Sequence, residues 1–179
     1  LRPWTPDIIP RTLILTGGTL AATDFALTHH SYAANMAGGT HHAYKDHGSG
    51  YCIVNDIAIA AHHAIQNHGI SRVAVIDLDV HQGDGTASIF EDDSRILTLS
   101  VHGEKNFPFR KQKSNWDVSL ESGTGDSGYL EAVSEVLSIA DAFNPQMIFY
   151  QGGVDPLATD RLGKLSVSRD GLIERNARV

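Results

Sequence analysis

Between Val73 and Gly85 an apolar, β-branched run breaks off into Asp77, Asp79, His81 and Asp84. Such a run reads as a strand buried on both faces, the signature of a parallel sheet flanked by helices. The polar residues fall where that strand runs out, and in open α/β sheets ligands gather at the carboxyl ends of strands. Burying carboxylates and an imidazole together is costly unless a cation or a mutual hydrogen-bond network compensates. Asp79 and His81 are two residues apart, so an extended chain projects both to one side. A borderline cation such as zinc accepts one oxygen and one nitrogen in that arrangement. A metal site is therefore the first expectation.

The rest of the chain alternates between helical and strand patterns. Leu13, Ile14, Leu20, Ala21, Phe25 and Leu27 have broadly helical spacing and predict a helix over residues 10–30. Residues 32–36 form a short apolar segment leading to Gly38-Gly39-Thr40-His41-His42, and a glycine-rich loop follows at 46–51. Asn55 or Asp56 caps a second helix that runs to about His68 and stops at Gly69. Strands are predicted at 72–78, 95–101 and 147–150, with a helical turn at 86–90 and a helix at 127–143. A long loop spans 103–126, and a last helix begins near Ser168. This alternation argues for an α/β fold with a mostly parallel sheet. His41-His42, the Asp77 to Asp84 stretch and Asp155 each read as polar residues following a strand and glycine, so all three sets are expected to meet on one sheet edge.

Composition narrows the function. The 179 residues suffice for one domain with a real core, and a net charge of −7 argues against a direct nucleic-acid surface. No apolar run approaches the roughly 20 residues of a membrane helix, and no secretory signal is recognisable. Cys52 is the single cysteine, which excludes an internal disulfide and favours a reducing compartment. That compartment is the cytoplasm for a bacterial source, and the nucleus or an organelle for a eukaryotic one. The chain begins at Leu1 without methionine and stops inside the last predicted helix, so a portion of a larger domain is expected.

Asp79, His81 and Asp155 are three candidate ligands for one cation, leaving a position open for water and substrate. Any one of them alone reads equally well as a loop or helix cap. An EF-hand reading fails, because Gln82 stands at the turn glycine and Ser88 at the bidentate glutamate. His41-His42, flanked by glycines, suits a general base and an electrostatic partner if carboxylates orient the rings, and Asp77 and Asp84 fit that task. His29-His30 and His62-His63 read as structural or surface pairs. Gly17-Gly18-Thr19 and Gly38-Gly39-Thr40 lack the features of phosphate loops, and no GxSxG elbow is present. Cys52 reads as a buried thiol. Phe107 and Phe109 either wall an apolar channel or anchor their loop to the core.

Four segments now combine: Gly38-Gly39-Thr40-His41-His42-Ala43, Gly50-Tyr51-Cys52-Ile53-Val54-Asn55-Asp56, Asp77-Leu78-Asp79-Val80-His81-Gln82-Gly83-Asp84-Gly85, and Gly152-Gly153-Val154-Asp155. In this order they closely resemble the zinc-dependent histone deacetylase family of the arginase/deacetylase superfamily. His102-Gly103-Glu104-Lys105-Asn106-Phe107-Pro108-Phe109 is most similar to the branch of class IV enzymes and their bacterial relatives. The resemblance implies a three-layer αβα domain, of which residues 1–179 form the central portion, incomplete at both ends. It implies zinc on Asp79, His81 and Asp155. His42 with Asp84 becomes the general base and then acid, and His41 with Asp77 the electrostatic partner. Gly50 and Tyr51 match the floor and one wall of an acyl-lysine tunnel, and Phe107 the opposite wall. Ser100, with nearby backbone carbonyls, matches a potassium site beneath the zinc. The implied reaction is hydrolysis of N-acetyl or longer N-acyl lysine amides, with an acetylated protein lysine or a small acetylated amine as substrate.

The family's oxyanion-stabilising tyrosine follows the third zinc ligand in a glycine-rich loop. Here Tyr32, Tyr44, Tyr51, Tyr129 and Tyr150 all precede Asp155, so that residue is expected beyond Val179. The sheet is likewise expected to show unpaired edges. Two other readings stand beside the enzyme: a non-catalytic zinc or acyl-lysine-binding fragment, and an arginase-like hydrolase with two manganese ions. The latter requires Asp77 and Asp84 to leave the histidines and bridge metals.

Overall fold

In the computed structural model, which describes residues 4–179, helices cover both faces of a four-stranded sheet. The elements run α1 (Ile8–His29), α2 (Asp56–His68), β1 (Val73–Asp77), α3 (Asp84–Ile89), β2 (Ile96–Gly103), β3 (Trp116–Leu120), α4 (Asp126–Phe143), β4 (Met147–Gln151) and α5 (Arg169–Arg178). The strand order is β3-β2-β1-β4, and every neighbouring pair is parallel. This is the expected α/β/α architecture; Leu1–Pro3 of the expected 1–179 unit lie outside the described residues. No helix of the described residues is long and apolar enough to cross a membrane.

Strand alternation divides the core in two. Ile76 of β1 with Leu99 and Val101 of β2 packs against Tyr129, Val133 and Val136 of α4 and Leu172 of α5. Val73 and Val75 point the other way, joining Ile96 and Phe149 against Ile57, Ala58 and Ala61 of α2. Because β2 lies on one side of β1 and β4 on the other, the chain diverges beyond β1 and β4 and opens a crevice there.

Three expectations are corrected. The 103–126 loop contains β3, whose polar, largely exposed sequence gives only a faint alternation at Val118 and Leu120. No strand precedes His41-His42: residues 32–40 are irregular, and the pair reaches the sheet edge from a loop. The buried residues of α1 are Thr16, Thr19, Thr23 and Ala26, whereas Leu13, Ile14 and Phe25 are exposed. Thr12, Thr16 and Thr23 donate to carbonyls four residues earlier, so the face toward α2 is a threonine face.

Thr19 is the exception, and it explains how that irregular loop is held. Its hydroxyl donates to Asp56 Oδ2 at 2.5 Å, while Oδ1 of the same carboxylate accepts from the Thr40 amide and hydroxyl, each at 2.7 Å. The Gly39 amide also reaches both oxygens at 3.1 Å. Asp56, at the start of α2 and only 1% exposed, thus collects the orphan donors just before His41. Burial pushes this carboxyl up, but bonds from Thr19, Thr40 and Gly39 outweigh it and hold it below the usual carboxylate range. With the folded value below the unfolded one, the stabilisation is complete above about pH 4 and is lost as pH falls through the depressed value. Asp56→Ala should lower stability by about 3 kcal/mol in denaturant titration at neutral pH. The gap between wild type and variant should narrow as the titration is repeated at progressively lower pH.

Candidate metal and catalytic centre

The crevice gathers its side chains from three loops. Asp79 and His81 follow β1, Asp155 follows β4, and His41-His42 arrive from the loop anchored by Asp56. His81 Nδ1 lies 3.0 Å from Asp79 Oδ1 and 3.0 Å from Asp155 Oδ2. The Val80 amide donates to the other Asp155 oxygen at 2.9 Å, fixing the carboxylate across the gap between strands. One ligand atom from each of Asp79, His81 and Asp155 lies within 4.8 Å of the other two. Burial pushes the His81 imidazole down, but the bonds and charges of Asp155 and Asp79 lift it to about 10. Two carboxylates converging on one imidazole thus demand positive charge, which a divalent cation supplies in place of a proton. The set of two oxygens and one nitrogen fits a borderline transition metal. Its cradle is tight: a Cβ added at Gly153 would come within 2.5 Å of Asp79 Oδ2.

Beside this cluster stand two buried histidine–aspartate pairs. His41 Nδ1 donates to Asp77 Oδ2 at 2.6 Å, and His42 Nδ1 donates to Asp84 Oδ1 at 2.6 Å. Each ring therefore turns Nε2 away from its carboxylate. Burial pushes His41 down, and Asp77 with the nearby Asp79 charge reverses this, raising it to about 9. Because Asp77 and Asp84 are each taken by a histidine, the bridging carboxylates of a two-metal site are engaged elsewhere.

A cavity of about 950 Å³ lies over these groups, lined by His41, His42, Asp79, His81, Gly50, Tyr51, Phe107 and Phe109 among others. Phe107 meets the His42 ring edge-on, with centroids 4.9 Å apart. Gly50 also approaches so closely that a Cβ there would collide with the His42 ring. Gly50 and Tyr51 both have positive φ, and Tyr51 projects outward at 85% exposure. Phe109 is also exposed, so both phenylalanines wall the cavity and neither is a buried anchor. Burial raises the Cys52 thiol to about 11, in keeping with an inert thiol. Ser100 sits in register with Asp77 on β2, and its hydroxyl lies 3.0 Å from His102 Nδ1. Burial lowers His102 to about 4, leaving it a neutral ring between Ser100 and Ser119.

A family model described as the histone deacetylase domain matches residues 2–179. This chain belongs to the histone deacetylase family. It is 46% identical over 174 residues to an uncharacterized protein of Picosynechococcus, covering 97% of this chain and 58% of that one. Among solved structures it superimposes on a histone deacetylase homolog from Aquifex aeolicus with a TM-score of 0.85 at 28% identity, covering 94% of this chain and 49% of the other. An acetylpolyamine aminohydrolase from Burkholderia pseudomallei gives 0.77 at 26% identity, covering 88% and 49%. The chain thus spans about half the length of these relatives. Histone deacetylases are generally metal-dependent hydrolases.

Three supporting residues escape the motif-level reading. Tyr44 donates to the second oxygen of Asp84 at 2.9 Å, and the Asn55 amide reaches the carbonyls of His41 and Ala43. Asn55 is legible only as a helix cap, a role it also fills through the Ala58 amide. Arg175 of α5 is 1% exposed and has no carboxylate partner among the described residues. Its Nη1 donates to the Gly153 carbonyl at 2.6 Å and reaches the Leu78 carbonyl at 3.4 Å. Those carbonyls lie one residue before Asp79 and two before Asp155, so a single guanidinium ties both ligand loops. Arg175→Met should weaken binding of a divalent transition metal about 10–100-fold, the range typical of outer-shell partners. Metal titration should show this while the far-ultraviolet dichroism stays that of the wild type.

Proposed function

We propose that this chain forms the metal-and-histidine part of a zinc-dependent amidohydrolase site that removes acetyl or longer acyl groups from lysine side chains or small acetylated amines. The observation that carries the reading is the meeting of Asp79, His81 and Asp155 with two buried histidine–aspartate pairs beneath one cavity. Zinc on those three ligands would supply Lewis acidity toward the amide carbonyl and toward water. Family membership and the likeness to an acetylpolyamine aminohydrolase support acetylated amines as the substrate class.

The chain's own residues account for proton movement and positioning. With Nδ1–H held by Asp84, His42 offers Nε2 to take a proton from water and return it to the leaving amine. Tyr44 steadies Asp84, and burial raises its hydroxyl to about 12, so it remains a donor throughout. His41, bound to Asp77, places a second imidazole beside the reacting groups. Phe107 and Tyr51 flank the approach to His42 and suit the methylene stem of a lysine or polyamine, while Gly50 leaves room beside the ring. Ser100, in register with Asp77 on β2, would contribute to the potassium site that the resemblance implies.

The protein carrying this chain, loaded with zinc, should release acetate from an acetyl-lysine peptide. Chelation should abolish the activity and added zinc should restore it. Asp79→Ala should lose both metal and turnover, whereas His42→Ala should keep the metal and lose about 10²–10⁴ in kcat. Full activity after verified zinc removal would overturn the assignment.

A further inference from the structure

Away from the cavity, α1 and α2 bring a second set of metal-ligating side chains together. Asp24 of α1 lies against His63 and His68 of α2, with the two Nε2 atoms 2.6 Å and 2.7 Å from one oxygen, Asp24 Oδ1. One ligand atom from each of the three lies within 4.8 Å of the others. The side chains are 48%, 25% and 27% exposed, so an ion reaches them directly from solvent. We propose that Asp24, His63 and His68 form a second metal site, for a borderline divalent cation of the zinc class, that staples α1 to α2.

Ring geometry, charge and outer contacts agree. The His63 and His68 centroids are 5.5 Å apart with planes at 65°. Two imidazoles bound to one tetrahedral cation through nitrogens near 2 Å place their centroids roughly 5 Å apart. The present nitrogen–oxygen distances must open somewhat to admit the cation, which half-exposed side chains at a helix pair allow. Asp24 is an anion at neutral pH, held below the usual carboxylate range by hydrogen bonds from His63 and His68. Among the described residues those two imidazoles are its side-chain partners. The set offers two imidazole nitrogens and one carboxylate oxygen, a donor set suited to zinc or nickel. Behind His63, the Asn67 amide lies 2.7 Å from Nδ1. A cation on Nε2 moves the ring proton to Nδ1, where the amide, turned end for end, accepts it.

The site is separate from the catalytic reading, since none of its residues lines the cavity. Its mechanical consequence is nonetheless directed there. On its threonine face, α1 is tied to α2 through Thr19 and Asp56, the carboxylate that anchors the approach to His41. A cation on Asp24, His63 and His68 fastens the same helix pair at a second point.

The test is equilibrium dialysis of the protein against zinc at no more than micromolar free concentration, followed by elemental counting of zinc per chain. Wild type should retain one more zinc than His63→Gln/His68→Gln, whose partly exposed substitutions lie outside the cavity lining and leave its ligands intact. Zinc should also raise the melting temperature of wild type by more than that of Asp24→Asn. Equal zinc counts in wild type and the double variant would overturn the proposal, as would equal thermal shifts in wild type and Asp24→Asn.

Discussion

Asp155 reaches Asp79 and His81 because β4 pairs with β1 in the register that sets Asp77 opposite Gln151. The two strands are distant in sequence, and neither carries the whole ligand set. A slip of one residue would turn every side chain of β4 to the other face of the sheet and carry the Asp155 loop out of line. The order β3-β2-β1-β4 adds the second requirement, since divergence of the connections at β1 and β4 makes the crevice. Register is fixed in turn by the two cores, because Val73 and Val75 belong to one and Ile76 to the other.

The ligand loops begin where the sheet's own hydrogen bonds end, so their backbone groups need other partners. The protein meets this need with buried charges of opposite sign. On the histidine side, amides point inward, and the Asp56 carboxylate accepts from Gly39 and Thr40. On the ligand side, carbonyls point inward, and the Arg175 guanidinium donates to Gly153 and reaches Leu78. Both groups are 1% exposed, and among the described residues each is compensated by backbone groups together with neutral side chains, the Thr19 and Thr40 hydroxyls at Asp56 and Tyr129 with Asn176 at Arg175, rather than by an opposite ion. Such an arrangement holds loops in one position, because removing the charge leaves several polar groups stranded at once.

The parts of this design that follow a period or a strand end could be read in sequence. The buried strand leading to Asp77, the helix closed by Gly69 and the parallel α/β layout all rest on local patterns that the structure repeats. The convergence of Asp155 with Asp79 and His81 was legible once all were placed at carboxyl ends of parallel strands. β3 was not, since its exposed edge position removes the apolar alternation that identifies a strand. The approach to His41-His42 misled because glycine and short apolar residues resemble a strand end, whereas a carboxylate from a different element does the holding. Arg175 gave no signal at all. An arginine in a polar helix reads as a surface residue, and its burial depends on α5 docking over Tyr129 and the β1 end.

Four aspartates near the crevice divide by how many carboxylates share one imidazole and by depth. Asp77 and Asp84 are nearly inaccessible, and each meets one ring, so one carboxylate orients one histidine. Asp79 and Asp155 are more open, at 13% and 20% side-chain exposure, and both meet His81. There two carboxylates share one imidazole, with the His41 ring 3.9 Å from Asp79 as a further neighbour. The same residue types therefore build fixed histidine–aspartate pairs in one place and a convergent set of candidate cation ligands in the other. Asp24 repeats the motif at the surface with the ratio inverted, one carboxylate facing two imidazoles. Its donor set carries less charge and more nitrogen, so its cation preference shifts toward softer, imidazole-favouring metals relative to the cavity cluster.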